Sequence, residues 1–258
     1  MNLCVDVGNS TIVMGFFEQK KLVNKLILTT NDKRTEDELY SFIKQQNMLH
    51  NFDINSVNKI IYSSVVPSLN RKFKNALSKL YKANILTIEP GIKTGLPIKV
   101  DNPLEIGNDL IADLVGAKDK YGYPLLICDL GTASKILVLD NTGTFICCVI
   151  TPGLKMGSNS LTKNTALLPE ISLEIPKTLI AKNTVDAMNA GLLFGHAEMI
   201  NGLCRRYEKE LGYSCKKVVT GGCSVGFDKL LDSDFIIDQD INLYGLNLIL
   251  ERNFDNAK

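Results

Sequence analysis

The chain has 258 residues, of which 45% are hydrophobic and 22% charged, an ordinary globular composition that excludes disordered and fibrous classes. Its 29 basic and 28 acidic side chains leave a formal charge of +1, without the basic excess of a sequence-independent nucleic-acid binder. No apolar run reaches the roughly 18–20 residues needed to cross a bilayer. Seven cysteines, an odd number with no CxxC pair, together with a start that carries no leader, predict a reduced, cytoplasmic protein with neither membrane nor nucleic acid as partner. His50 and His196 have no ligand spacing around them, so a Cys/His zinc site is not expected.

In chain order, Leu3 to Leu28 predicts three antiparallel strands, with an Asp-x-Gly corner at Asp6 and a polar turn from Glu18 to Lys21. Amphipathic helices over Asp37–Leu49 and Ser68–Tyr81 flank a strand at Lys59–Val66, and a further short strand begins at Ile85. Pro90 to Pro103 holds three of the eight prolines and predicts a rigid, extended connector. A helix from Gly107 to about Lys120 follows. Leu125 to Ile150 then repeats the three-strand pattern, with its own corner at Asp129 and a turn from Asp140 to Gly143. After a turn at Pro152-Gly153 come helices over Lys155–Ala166 and Val185–Leu211, a strand over Lys216–Gly222, and a last helix over Leu243–Asn253. The repeat predicts two similar α/β halves, residues 1–118 and 119–258, facing each other across a cleft.

The chemistry concentrates at the corners. In Asp6-Val7-Gly8-Asn9-Ser10 a carboxylate ends a strand, and a glycine then leaves backbone N–H groups and small hydroxyls exposed. Such a corner can hold a phosphate by its N–H groups and a metal ion or its waters by the carboxylate. One copy reads equally as a plain hairpin; two copies in the same strand context, at Asp6 and Asp129, favour phosphate chemistry. Val218-Val219-Thr220-Gly221-Gly222 ends a β-branched strand in two glycines, which would let the backbone approach a flat ligand closely. With no Walker A sequence and no strand-linked GxGxxG, P-loop and Rossmann nucleotide binding are disfavoured. Asp109, after Gly107 at the start of a helix, reads either as a helix cap or as a carboxylate turned to the cleft.

Together these elements resemble the acetate and sugar kinase/Hsp70/actin superfamily. The order of DVGNS at Asp6, SSVVP at Ser63, TGLPIKVDNPLEIGND from Thr94, DLGTA at Asp129, TPGLKMG at Thr151, LTKNTALLP from Leu161 and VVTGG at Val218 resembles the type III pantothenate kinases, relatives of the Bvg accessory factor proteins, nearly end to end. The resemblance implies an α/β fold of two ribonuclease H-like (actin-like ATPase) halves, each a mixed sheet flanked by helices. It implies transfer of the γ-phosphoryl group of ATP to the hydroxyl of pantothenate, the first step of coenzyme A biosynthesis, by a homodimer with its site near the dimer interface. It also implies Mg²⁺ or another divalent cation and a monovalent one, K⁺ or NH₄⁺.

Carried over by motif, Asp6, Gly8, Asn9, Ser10 and Thr11 form the first phosphate corner, with Asp6 reaching the divalent ion through water. Asp129 is the monovalent-cation ligand, Gly131 and Thr132 form the second corner, and Gly221 and Gly222 lie at the adenosine. Gly107, Asn108, Asp109 and Leu110 contact pantothenate, with Asp109 as general base, and Thr184 reaches the pantothenate bound by the partner subunit.

The sequence departs from the family pattern in three places. Leu110 stands where the family has an arginine beside the base, a change expected to weaken rate or affinity by roughly two orders of magnitude. Cys147-Cys148 replaces a glycine pair and reads as two buried strand positions, with redox sensing as the alternative. Lys135 reads as a solvated strand cation, with pairing to a phosphate as the alternative. The same departures fit two other functions, a regulatory paralogue that keeps the fold and a kinase for a different small alcohol.

Overall fold

The computed structural model describes residues 1–224 and 226–254. Its first strand, β1 (Asn2–Val7), buries apolar side chains on both faces, with Leu3, Cys4, Val5 and Val7 all fully buried. β2 (Thr11–Glu18) lies antiparallel on one side of it and β3 (Lys21–Thr29) continues the meander. β4 (Lys59–Ser64) lies parallel on the other side, and β5 (Asn84–Thr87) extends the sheet to the order β3-β2-β1-β4-β5. Parallel neighbours need crossovers, and the two amphipathic segments supply them as α1 (Glu36–Leu49) and α2 (Pro67–Leu80). Thr35 and Glu38 close a reciprocal capping box on α1, and Pro67 sets the first turn of α2. Leu3, Phe16, Ile43, Tyr62 and Phe73 are among the side chains that fill the core against this sheet.

The second copy repeats the topology. β6 (Leu125–Leu130), β7 (Ala133–Leu139) and β8 (Phe145–Pro152) form the meander. β9 (Lys216–Thr220) and β10 (Phe235–Ile237) give the sheet order β10-β9-β6-β7-β8, the same five-strand order as the first sheet. Two mixed sheets of identical order flanked by helices realise the expected ribonuclease H-like architecture. The second core gathers Leu126, Cys128, Val138 and Val219 from the sheet with Leu193 and Ile200 from α5 (Thr184–Leu211), the longest helix among the described residues. β10 was not expected; three residues are too short for a periodicity to register.

The remaining helices are α3 (Asn108–Tyr121), α4 (Leu154–Lys163) and α6 (Ile241–Phe254). By contacts the chain divides into one unit of Met1–Leu96, Asp101–Gly116 and Asp240–Lys258, and another of Pro97–Val100 and Ala117–Gln239. This differs from the expected division after residue 118 in two respects. The middle of the proline-rich connector joins the second unit, because Lys99 N–H donates to the Phe145 carbonyl at 2.8 Å and Phe145 N–H to that of Pro97 at 2.9 Å. The last helix joins the first unit. There Asn247 ties it to β1 and the β2–β3 turn, accepting from Asn2 Nδ2 at 2.8 Å and donating to the Gln19 carbonyl at 2.7 Å. Among the described residues no helix is long and apolar enough to cross a membrane.

Candidate active site

The first corner is a short loop held at both ends. Gly8 N–H donates to the Thr11 carbonyl at 3.0 Å, and Thr30, just past β3, fixes the loop from outside. Its N–H donates to the Ser10 carbonyl at 3.0 Å and its hydroxyl to the Gly8 carbonyl at 2.6 Å. These ties use carbonyl oxygens and leave Asn9, Ser10 and Thr11 at the exposed surface of the corner. Asp6 is half-buried at the end of the central strand, and its Oδ1 accepts from the Ser63 hydroxyl at 3.0 Å, the residue paired with it on β4. Ser63 and Thr30 were not singled out from sequence, though Ser63 lies in the SSVVP motif.

In the same unit, α3 opens on the Gly107 carbonyl, which accepts from Leu110 N–H at 3.1 Å and Ile111 N–H at 3.3 Å. Gly107 therefore occupies the cap, and Asp109 stands inside the first turn, half-buried, where the helix N-terminus favours a negative charge. The Asp109 carboxylate turns back over this helix start, where a Cβ on Gly107 would meet its Oδ1. Asn108 Nδ2 donates to the Ile88 carbonyl at 3.0 Å, anchoring the turn to the segment after β5. Leu110 is only 7% exposed, so most of its surface is committed to packing. From α6, Asn242 Nδ2 donates to the Asp109 carbonyl at 3.0 Å and to Oδ1 of the buried Asp113 at 3.1 Å. Nothing local in the sequence pointed to this brace, which comes from 133 positions along the chain.

In the second unit, Asp129 ends β6 with Gly131 and the exposed Thr132 in the turn that follows. Antiparallel register sets Lys135 directly opposite Asp129, and Lys135 Nζ lies 2.9 Å from Asp129 Oδ2. Their side chains are only 17% and 13% exposed, which corrects the expectation of a solvated lysine. On the other flank, Gly221 has φ +93°, and a Cβ there would lie 2.6 Å from Asp129 Oδ1. Only glycine fits that position. Gly222 beside it is exposed, with open space where a side chain would be. Thr184, also exposed, begins α5 behind the Asn183 cap.

Cys147 packs on the second core and Cys148 is half-buried next to it. Burial pushes both thiols above their ordinary pKa, which keeps them protonated and poorly nucleophilic at neutral pH. That favours the packing role over redox sensing.

Solved structures of low sequence identity share the fold. Over 99% of this chain and 98% of the other, a structure from Acidaminococcus fermentans described as (R)-2-hydroxyglutaryl-CoA dehydratase component A shares the fold with a TM-score of 0.57 at 14% identity. A structure described as a Baf family transcriptional activator from Campylobacter jejuni superposes with a TM-score of 0.60 at 22% identity, covering 98% of this chain and 99% of that one. The profile of the family described as type III pantothenate kinase matches residues 2–206. Curated type III pantothenate kinases from Brevibacillus brevis and Myxococcus xanthus are 36% and 33% identical over 253 residues, covering 98% of this chain and 99% of each relative. The chain belongs to the type III pantothenate kinase family.

Proposed function

We propose that this chain transfers the γ-phosphoryl group of ATP to the hydroxyl of pantothenate, the first step of coenzyme A biosynthesis. The observation that carries this is Asp109, kept by the family motif and half-buried in the first turn of a helix whose backbone Asn242 braces. The pantothenate oxygen bonds to the γ-phosphorus as the bond to the β,γ-bridging oxygen breaks and its electron pair leaves with ADP. Asp109 takes the alcohol proton as the new bond forms. Gly107, Asn108 and Leu110 shape the turn that holds the acceptor. Gly8, Asn9, Ser10 and Thr11, with Gly131 and Thr132, are the phosphate contacts, and Gly221 and Gly222 the adenosine contacts.

A divalent cation suits Asp6, a half-buried carboxylate beside exposed hydroxyls. Among the described residues no cluster of three or more His, Cys, Asp or Glu could grip a metal directly, so Mg²⁺ would keep its waters and lean on the phosphates. When bound it neutralises charge on the β- and γ-phosphoryl oxygens. A homodimer, with Thr184 reaching the partner's pantothenate, is supported by exposed apolar side chains close to it along the chain: Leu167, Leu179, Ile180 and Val185. The seven free cysteines suit the reducing cytoplasm.

The direct test is mass-spectrometric detection of phosphopantothenate from purified protein, ATP, Mg²⁺ and pantothenate. Product formation is expected. A folded, ATP-binding protein that yields none, or that phosphorylates a different alcohol, would overturn the proposal in favour of a regulatory paralogue or another kinase. Asn242→Ala adds a second expectation. Loss of the brace should lower kcat about tenfold while KM for ATP holds, and should cost about 1–3 kcal/mol of stability because Asp113 loses a buried donor. Steady-state kinetics with thermal denaturation read both effects.

A further inference from the structure

The two corners are topologically equivalent, yet their carboxylates have different neighbours. Opposite Asp6 on the second strand stands Val13, and beside it on the parallel strand stands Ser63. Opposite Asp129 stands Lys135, and beside it Thr220. A lysine directly across an antiparallel pair from an aspartate lies on the same face of the sheet, within reach of it. Here the pair is made at 2.9 Å and largely shielded from solvent. Gly221, which leaves no room for a Cβ, closes on the other carboxylate oxygen. The first corner has an uncharged residue across the strand, whereas the second carries a fixed monovalent cation within its own hairpin.

This arrangement does not fit a monovalent metal ion at Asp129. Such an ion would share a carboxylate with an ammonium that already neutralises it, and two like charges at one ligand oppose each other. We propose that the Lys135 ammonium permanently takes the seat of the monovalent cation, so that this protein works without added potassium or ammonium. An alkylammonium is a suitable substitute: it carries the same single charge as K⁺ and offers three N–H donors toward oxygen ligands. Lys135 is then a positioning residue that sets the charge of the second corner. The inference rests on the phosphotransfer reading for its kinetic consequence, but its binding consequence stands alone.

The test has two readouts at constant ionic strength of about 0.1 M, exchanging KCl for tetramethylammonium chloride. In the first, thermal denaturation of the wild type in the presence of ATP and Mg²⁺ should show no K⁺-specific shift. Lys135→Ala should melt lower and be raised saturably by K⁺, whereas Lys135→Arg, keeping the charge, should stay indifferent to K⁺. In the second, phosphorylation of pantothenate by the wild type should be flat with K⁺, and that by Lys135→Ala should be about tenfold to a hundredfold lower and recover with K⁺. A wild type that is stabilised and activated saturably by K⁺ would overturn the proposal. So would a Lys135→Ala protein as active as the wild type and indifferent to K⁺. If Lys135→Ala does not fold, the wild-type K⁺ titration and Lys135→Arg still decide. Absence of phosphopantothenate under every salt would count against the kinase reading, while the melting curves would still decide whether Lys135 fills the cation seat.

Discussion

Asp109→Asn is expected to lower kcat for pantothenate phosphorylation by about 10²–10⁴-fold, the range usually lost with a general base. The substitution keeps size and shape while removing the negative charge and with it the ability to take a proton. The Gly107 carbonyl accepts from the Leu110 and Ile111 N–H groups, and Asn242 holds the carbonyl of residue 109. The melting temperature should fall by no more than about 4 °C, the effect of losing one charge at a helix N-terminus. ATP binding, read by calorimetry, should be retained. A variant that keeps most of its kcat would remove Asp109 from the proton transfer. One that loses activity and folding together would make the residue structural.

Gly245→Ala should have the largest effect on stability, and with a sign opposite to that of helix propensity. Inside a helix, glycine-to-alanine gains up to about 1 kcal/mol where space allows. At Gly245 a Cβ would stand 1.8 Å from the Ala112 carbonyl oxygen and 2.9 Å from the Gly116 nitrogen. Gly116 mirrors this, with a Cβ there 2.3 Å from the Ile241 carbonyl oxygen. α3 and α6 thus cross backbone to backbone, and a backbone atom cannot rotate aside as a side-chain tip can. A loss of about 3 kcal/mol or more is expected, with a melting temperature roughly 6–12 °C lower for a chain of this size. Because α6 carries Asn242, forcing the helices apart should also lower kcat. Gly202→Ala in α5, where no atom lies within 4 Å of the added carbon, is the matched control and should be neutral or stabilising. Equal melting temperatures for the two variants would show that the crossing yields easily.

Much of this molecule was legible in its sequence because both meanders announce themselves through the same acid–glycine corner. Short apolar runs marked β1 and β6 as strands, and prolines marked the connector. Other features depend on distant pairing. The attachment of α6 to the first sheet rests on Asn2, Gln19 and Asn247, none of which forms a local pattern. Asn242 as the brace of Asp109 is invisible for the same reason. Lys135 is an intermediate case. The register that pairs Leu130 with Ser134 places Lys135 opposite Asp129, one position away from what counting outward from a two-residue turn gives. Its burial depends on the neighbouring strands β8 and β9, and without them a strand lysine is naturally read as solvated. Leu110 was conspicuous as a departure from the family, but only the packing of α3 shows how little of it meets solvent.

The membership of α6 also bears on how the polypeptide acquires its structure during synthesis. Apart from the short stretch Pro97–Val100, the second unit is a continuous run of chain and can assemble as soon as it clears the ribosome. The first sheet must wait for longer, because the helix that covers it is translated after the second unit.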